Sequence, residues 1–267
     1  MSANDALPPL DAASLRDALC GPGMSWRRLD VVERTGSTNA DLLARAAAGE
    51  DIAGAVLIAE HQTAGRGRNG RVWSSPRAQL TMSVGVHGGG VPPDAWGWLP
   101  LAAGVAVVDA VAAVADIEAG LKWPNDVMAG NRKLAGILTE VAAAQRNIVV
   151  GIGLNVTLRG DEVPDTNATS LLTLGVEAPD RAGLVRAMLR ELENRVDSWR
   201  AANGADAALI ADYRTRSMTI GSPVRAILPG GREVVGTARS IDEQGRLHID
   251  SESGTVAVSA GDVVHLR

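Results

Sequence analysis

The 267-residue sequence has one cysteine, no phenylalanine and one tyrosine. The single cysteine, Cys20, excludes a disulfide bond within the chain and a metal site built from paired cysteines. Free cysteines are among the most often buried residues, so we expect Cys20 to be an ordinary, partly buried thiol. Alanine, valine, glycine and arginine are abundant instead, which is typical of a compositional bias of the source genome and indicates no function.

Long apolar runs are missing as well. No stretch offers the roughly 18 uninterrupted apolar residues that a membrane-spanning helix needs, and the longest candidate, 99–115, carries Asp109. The first residues, MSANDALPPLDAAS, lack a basic region followed by an apolar run, which a secretory signal requires. We therefore expect no membrane partner and a cytoplasmic location.

The sequence has no excess of basic residues, since 26 Lys and Arg face 31 Asp and Glu for a formal net charge of −5. A protein that lives on nucleic acid usually carries a basic face, so the charge argues against a DNA partner. Local clusters of basic residues are therefore expected to serve a local site.

Hydrophobic periodicity predicts the secondary structure. The predicted strands are 29–34, 55–60, 79–87, 120–124, a hairpin across 127–141 with its turn at Gly130 and Asn131, and 147–156. The predicted helices are 14–19, one capped by Ser37 or Thr38 that ends at Gly49, 97–114, 181–200 and 205–216. Because strict alternation of strands and helices is missing, we expect an α+β architecture.

The character of the sequence changes near its C-terminal end. After Gly221 the predicted strands are short and are broken by PGG at 229–231 and EQG at 243–245. This pattern is typical of a small β-barrel of about fifty residues. We therefore predict a large domain over 1–218 and a small domain over 219–267. The polar stretch 157–170 predicts a mobile loop.

The segment GRGRNGR at 65–71 puts three arginines among three glycines in an acidic chain. A solvated surface loop and an RNA-binding Arg-Gly segment are two interpretations, although only one such cluster exists and stacking aromatics are missing. The glycine spacing also matches GxGxxG, but arginines stand where that motif needs small residues and no clear helix follows. The remaining interpretation is a mobile clamp, whose glycines allow closure and whose guanidinium groups bind phosphate.

Polar residues in four other segments are candidates for the same site. In KWPND at 122–126, Asn125 and Asp126 follow a strand, where they either form an Asx turn or face a site, and Asp126 is a possible Mg²⁺ ligand. Lys133 lies on a predicted strand and is either solvated or turned to a pocket. Asn155 ends the strand GIGLNV, and GSTN at 36–39 is first of all a helix cap that can also bind a polar group.

The order of these motifs is more specific than any one of them. GSTN, EHQTAGRGRNGRVW, KWPND, RKLAGILTE and GIGLNV, followed by a small β domain, resemble the biotin protein ligases from about residue 29 to the C-terminus. The resemblance implies a class II synthetase-like catalytic domain with a mixed, largely antiparallel sheet and an SH3-like C-terminal domain. About 28 residues precede the first strand, so the chain is similar to the short kind without an N-terminal DNA-binding domain, and no repressor activity is expected.

The resemblance also implies a chemistry. Members of this family join biotin to ATP, releasing pyrophosphate and forming biotinyl-adenylate, and then pass biotin to one lysine of a carboxyl carrier domain. The first step brings a carboxylate against a polyphosphate, so fixed positive charge is needed at the α-phosphate. Arg66, Arg68 and Lys133, with Mg²⁺ on Asp126, are the groups implied for this role. Closure of the Arg-Gly loop then protects the adenylate from water.

Individual site residues are carried over from the matching motifs. The implied biotin-binding residues are Ser37, Thr38, Asn39, Gln62, Gly65, Arg66, Arg68, Lys133 and Gly136. The implied ATP-binding residues are Arg68, Arg71, Trp73, Asn125, Lys133 and Asn155, with Trp73 stacking on adenine. The covering loop at 157–170 shares little sequence with the family, so no residue is assigned there.

Two alternatives remain open. A lipoate-protein ligase resembles this fold and also forms an acyl-adenylate, and a regulator could bind biotin without transferring it. The GRGRxGR and KWPND motifs favour the biotin enzyme, and the expected lack of a DNA-binding domain disfavours the regulator.

Overall fold

Seven strands form the large sheet of the protein. The computed structural model describes residues 8–73, 78–142, 146–159, 167–228, 230–259 and 261–266. The strands are β1 (Arg28–Thr35), β2 (Ala55–Gln62), β3 (Gln79–His87), β4 (Gly120–Lys122), β5 (Asp126–Ala129), β6 (Arg132–Ala142) and β7 (Asn147–Asn155). Their spatial order is β1-β2-β3-β7-β6-β5-β4, with β1 and β2 parallel and every other pair antiparallel. The predicted mixed, largely antiparallel sheet is confirmed.

The centre of the sheet is buried on both faces. Every residue of β7 is buried, and so is every residue of β3 except His87. The predicted hairpin is formed by β5 and β6, and Gly130 takes the positive φ of 56° that its turn needs. β5 pairs with β6 only as far as Gly136, whereas β6 continues along β7 to Ala142.

In the described part of the chain, five α-helices cover the two faces of this sheet. They are α1 (Ala12–Leu19), α2 (Thr38–Ala47), α3 (Trp98–Ala115), α4 (Arg181–Ala201) and α5 (Ala207–Arg216). Apolar residues of α2 pack with Leu57 and Val149 on one face. The neighbouring strand residues Val56 and Val150 point to the other face, where they join the larger core with α3 and α4.

The N-cap residues of two helices determine where those helices begin. Ser37, rather than Thr38, is the N-cap of α2, and its side chain accepts from the amide of Ala40. Helix α1 begins two residues before the predicted start because Asp11 accepts from the amides of Ala13 and Ser14.

The apolar helix α3 is a core element. The stretch Pro93–Ala115 is long and apolar enough to cross a membrane by length and composition, but most of it is buried inside the protein. The one acidic residue of α3, Asp109, forms ion pairs of 2.5 Å with Arg195 of α4 and 2.7 Å with Arg216 of α5. These pairs neutralise the charge that would otherwise be isolated in the packed layer.

The C-terminal part forms a separate five-stranded antiparallel sheet of a small SH3-like domain. Its strands are β8 (Pro223–Ile227), β9 (Glu233–Ile241), β10 (Leu247–Ser251), β11 (Gly254–Val258) and β12 (Asp262–His265), in the order β11-β10-β9-β8-β12. The predicted breaks fall between β8 and β9 and between β9 and β10. The boundary at 218/219 stays a prediction, and the predicted loop 157–170 lies partly outside the described residues.

The turn between β9 and β10 attaches this small domain to the large one. The indole nitrogen of Trp98 donates to Asp242 O at 2.9 Å, and that of Trp123 donates to Gly245 O at 3.0 Å. A Cβ at Gly97 would overlap the carbonyl of Gln244, so glycine is what lets the two backbones approach this closely.

Candidate active site

A cavity of about 510 Å³ lies above one face of the large sheet and reaches the edge of the small domain. The cavity wall contains these predicted site residues: Ser37, Thr38, Asn39, Gln62, Arg66, Arg68, Arg71, Trp73, Asn125, Asp126, Lys133, Gly136 and Asn155. The small domain adds Ile227, Asp262, Val263 and Val264. The predicted site residues, which come from five separate segments of the sequence, therefore meet in one place together with residues of the small domain.

Gly65 is the exception among the predicted site residues, because it does not line the cavity. A Cβ at this position would lie 2.5 Å from Trp73 O and 3.1 Å from Gln62 Nε2. Gly65 O accepts from the amide of Trp73 at 2.8 Å. Gly65 thus lets the two strands of the Arg-Gly loop approach closely at its base, and its contact with biotin stays a prediction.

Buried polar side chains form one end of the cavity. Gln62 Oε1 accepts from the amide of Thr38 at 2.8 Å, and Ser83 Oγ lies 2.6 Å from both Thr38 Oγ1 and Asn39 Oδ1. Asn39 Nδ2 also donates to Glu140 Oε2 at 2.8 Å. Each side chain is held by a neighbour, so this end is a fixed set of hydroxyl and amide groups.

The Arg-Gly loop faces the cavity with its guanidinium groups bound to partners from both domains. Arg66 Nη2 lies 3.0 Å from Glu140 Oε2, and Arg71 forms an ion pair with Asp262 of β12. Arg68 Nη1 donates to Asn125 Oδ1 and to Gly261 O, both at 3.3 Å. Burial lowers the pKa of Arg68, although Asp262 and Asp126 oppose this effect, and a guanidinium stays charged in any case.

Lys133 and Trp73 lie together in the middle of the cavity. Lys133 Nζ forms a 2.6 Å ion pair with Asp126 Oδ1 and lies 5.3 Å from the centre of the Trp73 ring. A lysine in this position is not the solvated residue that the first alternative proposed. The buried indole nitrogen of Trp73 has no hydrogen-bond partner among the described residues, which leaves one donor free for a ligand.

The two glycines of β7 permit close packing at the site. A Cβ at Gly151 would overlap Asn39 Oδ1, and a Cβ at Gly153 would lie 2.7 Å from the Trp73 ring. The structure shows that the approaching groups are side chains, and the alternation along β7 explains why both glycines face the same side.

Asn125 and Asn155 are fixed by hydrogen bonds to neighbouring strands and loops. Asn125 Nδ2 donates to Ile137 O at 2.8 Å, and Asn155 Nδ2 donates to Thr169 O at 2.9 Å.

Thr219 connects the segment before Asn125 to the small domain. The amide of Trp123 donates to Thr219 Oγ1 at 3.0 Å, and Thr219 also contacts His265 Nε2. Burial lowers the pKa of His265, with a smaller contribution from Lys122, so this histidine favours the neutral form.

Asp126 suits Mg²⁺ only when phosphate oxygens of a bound substrate supply further ligands to the ion. The described residues contain no group of three or more His, Cys, Asp and Glu that could hold a metal ion alone. Mg²⁺ is normally bound through one or two carboxylates together with phosphate oxygens. The single carboxylate of Asp126, beside Asn125 and among cationic groups that attract phosphate, fits that arrangement.

Sequence reasoning missed several polar residues of the site, including four that hold predicted site residues in place. Ser83 orders Thr38 and Asn39, Gln79 Nε2 donates to Asn155 Oδ1 at 2.8 Å, and Glu140 and Asp262 hold arginines of the loop. Ser83 and Gln79 lie at polar positions of the alternating strand β3, and only the structure shows that these positions are buried. No local sequence pattern marks Glu140 or Asp262 as a site residue, because each acts through an ion pair with an arginine of the distant Arg-Gly loop.

Comparison with known proteins adds independent findings. Residues 31–156 match the Biotin/lipoate A/B protein ligase family, and residues 219–266 match the biotin protein ligase C terminal domain. The chain is 64% identical over 264 residues to the "Biotin--[acetyl-CoA-carboxylase] ligase" of Mycobacterium tuberculosis, covering 97% of each protein. It is 34% identical over 239 residues to the "Bifunctional ligase/repressor BirA" of Escherichia coli, covering 86% of this chain and 71% of that one.

Solved structures agree with this relationship. A biotin protein ligase from Leishmania major in complex with biotin matches with a TM-score of 0.61 at 27% identity, covering 90% of this chain and all of that one. A biotin protein ligase from Aquifex aeolicus in complex with biotin and ATP matches in fold, with a TM-score of 0.77 at 24% identity over 90% of this chain and all of that one. The chain belongs to the biotin protein ligase family.

Proposed function

We propose that this protein activates biotin with ATP to biotinyl-adenylate and pyrophosphate, and then transfers biotin to a lysine of a carboxyl carrier domain. The observation that carries the proposal is a single cavity with fixed neutral polar groups at one end and five cationic side chains along its wall, Arg66, Arg68, Arg71, Lys122 and Lys133. The relatives named above are ligases, which supports the same reaction.

The neutral end suits the ureido ring of biotin. A ureido group offers two N–H donors and one carbonyl acceptor, which need hydroxyl and amide partners rather than charges. Ser37, Thr38, Asn39 and Gln62 supply such partners, and Ser83 fixes the orientation of two of them. The carboxylate of biotin then points along the cavity toward Lys133, with Gly136 leaving space for the chain between them.

Activation requires the carboxylate of biotin and the α-phosphate of ATP, both negatively charged, to approach each other. Two unit charges about 4 Å apart repel by roughly 4 kcal/mol at an effective dielectric constant of about 20. Lys133, Arg66 and Arg68 counter this repulsion at the carboxylate and the α-phosphate. Asp126 and Glu140 partner two of these cations, so the cations are held in position and need little reorganisation when substrates bind.

The nucleotide is proposed to occupy the remaining part of the cavity. Trp73 provides a flat face for adenine and a free indole donor, and Asn125, Asn155 and Arg71 supply polar contacts. Asp126 would hold Mg²⁺, which supplies charge neutralisation at the phosphates when bound. This role requires Asp126 to exchange part of its contact with Lys133.

The reaction can be tested by measuring pyrophosphate release with MgATP and biotin, lipoate or octanoate side by side. We expect release with biotin and none above background with the other two acids. A reversed preference would identify a lipoate-protein ligase. Tight biotin binding without pyrophosphate release would identify a biotin-sensing regulator.

Gly151→Ala will weaken biotin binding by about tenfold, or about 1.4 kcal/mol. The added methyl group overlaps Asn39 Oδ1, so Asn39 must move and lose its contacts with Ser83 and Glu140. Calorimetric titration with biotin measures the change. Gly21→Ala is the matched control, because its Cβ meets only Met24 Sδ at an ordinary 3.8 Å. Equal affinities for both variants would remove Asn39 from the biotin site.

A further inference from the structure

Gln79, the first residue of β3, carries a buried polar atom that none of the roles proposed above uses. Its side chain lines the cavity of the proposed active site, and the residue is 3% exposed. The Oε1 atom has no hydrogen-bond partner among the described residues. An unpaired buried acceptor costs about 1–3 kcal/mol. A fold that keeps such an atom in a binding cavity indicates that a ligand supplies the donor.

Hydrogen bonds to two backbone carbonyls fix the way in which this side chain is turned. Asn155 Nδ2 donates to Thr169 O at 2.9 Å and to Lys133 O at 3.3 Å. Because carbonyl oxygens can only accept, the amide nitrogen of Asn155 faces them and Asn155 Oδ1 faces Gln79. Gln79 Nε2 therefore donates to Asn155 Oδ1, at 2.8 Å. The oxygen of the Gln79 amide is thus the atom that remains for a ligand.

This acceptor lies near the aromatic ring that is proposed to stack on adenine. Gln79 pairs with Asn155 across β3 and β7, and the next pair on the same face of the sheet is Thr81 with Gly153. The Trp73 ring packs on Gly153, where a Cβ would lie 2.7 Å from it. Two residues along a strand span about 7 Å. The Gln79 amide therefore lies within one such step of the place where the base is proposed to bind.

We propose that Gln79 Oε1 selects adenine by accepting a hydrogen bond from the exocyclic amine at C6 of the base, and this inference rests on the proposed ligase function. Adenine carries an N–H donor at this position, whereas guanine carries a carbonyl oxygen. The carbonyl of guanine or hypoxanthine would face the carbonyl of Gln79, and neither oxygen could then be paired in a buried site. The same contact thus binds ATP and rejects GTP and ITP.

The burial of Gln79 Oε1 determines how the base reaches it and why the contact discriminates. Trp73 lies on the floor of the cavity next to Gln79, and its ring shifts from Gly153 onto the base when ATP binds, which opens the floor to the edge of the purine. Water is excluded from this part of the cavity, so a base without the amine cannot replace the missing hydrogen bond with one to solvent.

Gln79→Met tests the inference, because methionine keeps the length of the side chain without its amide. The measurement is kcat/KM for the nucleotide in pyrophosphate release with biotin and Mg²⁺, using ATP, ITP and purine riboside triphosphate, which lacks the amine. For the wild-type protein we expect purine riboside triphosphate to be about 10-fold poorer than ATP, and ITP at least about 100-fold poorer. In Gln79→Met, ATP should fall to within about twofold of purine riboside triphosphate, and the preference for ATP over ITP should shrink at least about tenfold.

Thr81→Val is the matched control, because Thr81 is a buried polar residue of the same strand that also lines the cavity. Its Oγ1 already donates to Ala59 O at 2.9 Å, so the ratios between the nucleotides should stay those of wild type.

Two results would overturn the inference. The first is equal use of ATP and purine riboside triphosphate by the wild-type protein, which needs no variant. The second is an unchanged ratio between these nucleotides in Gln79→Met, because a purely structural loss, such as displacement of Asn155, lowers the use of both together. Absence of pyrophosphate release from the wild-type protein with biotin and MgATP would instead contradict the proposed function.

Discussion

Lys133→Ala will reduce pyrophosphate release with biotin and ATP by about 10²- to 10³-fold, while most of the biotin affinity remains. The side chain places a positive charge beside Asp126 in the middle of the cavity, where the carboxylate and the α-phosphate are proposed to meet. Removing one preorganised group that stabilises developing charge typically costs this much in kcat. Single-turnover measurement of pyrophosphate release tests the expected loss of activity, and calorimetric titration with biotin tests whether the affinity remains.

Two further variants separate the possible causes of that loss. Arg132→Ala removes the neighbouring cation on β6, which does not line the cavity, and should leave turnover unchanged. The double variant Lys133→Ala/Asp126→Asn removes the carboxylate that Lys133 neutralises. Recovery of activity in the double variant would show that the unpaired Asp126 charge caused the loss. Unchanged turnover in Lys133→Ala itself would remove this lysine from the reaction.

Arg68→Ala will let biotinyl-adenylate escape into solution about 10- to 100-fold faster. The guanidinium contacts Asn125 on one side and Gly261 of the small domain on the other, so it joins the loop to both walls of the cavity. A hydrogen bond to a charged group contributes about 1.5–3 kcal/mol, which corresponds to this range of rates. Chromatographic measurement of free adenylate during turnover without carrier reports the escape.

The fold of the Arg68→Ala variant decides how its result is interpreted. We expect its thermal unfolding midpoint to stay close to that of wild type, because Arg68 is on a loop with partly exposed contacts. Arg34→Ala, an exposed arginine on β1 that does not line the cavity, is the control for loss of charge. If Arg68→Ala unfolds, the loop is structural and its proposed role as a cover is wrong.

The sequence predicted the strands of the large sheet well because each carries a strong local pattern. β2 begins with a short, nearly continuous apolar run, β3 alternates apolar with polar residues, and the hairpin of β5 and β6 has a turn with Gly130 at positive φ. The helix starts were less accurate. Their positions depend on which side chain accepts the first free amides, and Asp11 could not be distinguished from an ordinary acidic residue without the backbone geometry.

The site was predictable to the extent that its residues belong to motifs. The arginines of the loop, Asn125, Asp126 and Lys133 all line the cavity, and the order of their motifs carried that prediction. Glu140 and Asp262 could not be found in this way. Each pairs with an arginine 74 or 191 positions away, and only the folded chain brings such partners together.

A second cavity, of about 490 Å³, was also beyond the reach of sequence patterns. Its walls come from α3, β6 and the β9–β10 turn, which are distant in sequence and become neighbours through the docking of Trp98 and Trp123 on that turn. A void between packed elements is a property of how they fit together, and no residue in a single segment reports it.

The contacts of Arg71 with Asp262 and of Arg68 with Gly261 connect the loop to β12. A nucleotide phosphate that draws Arg71 away from Asp262 must also weaken the hold of the loop on that strand. By thermodynamic reciprocity, any change that loosens β12 alters nucleotide affinity by the same factor. Nucleotide binding and the attachment of the Arg-Gly loop to the small domain are thus coupled, so that a change in one changes the other.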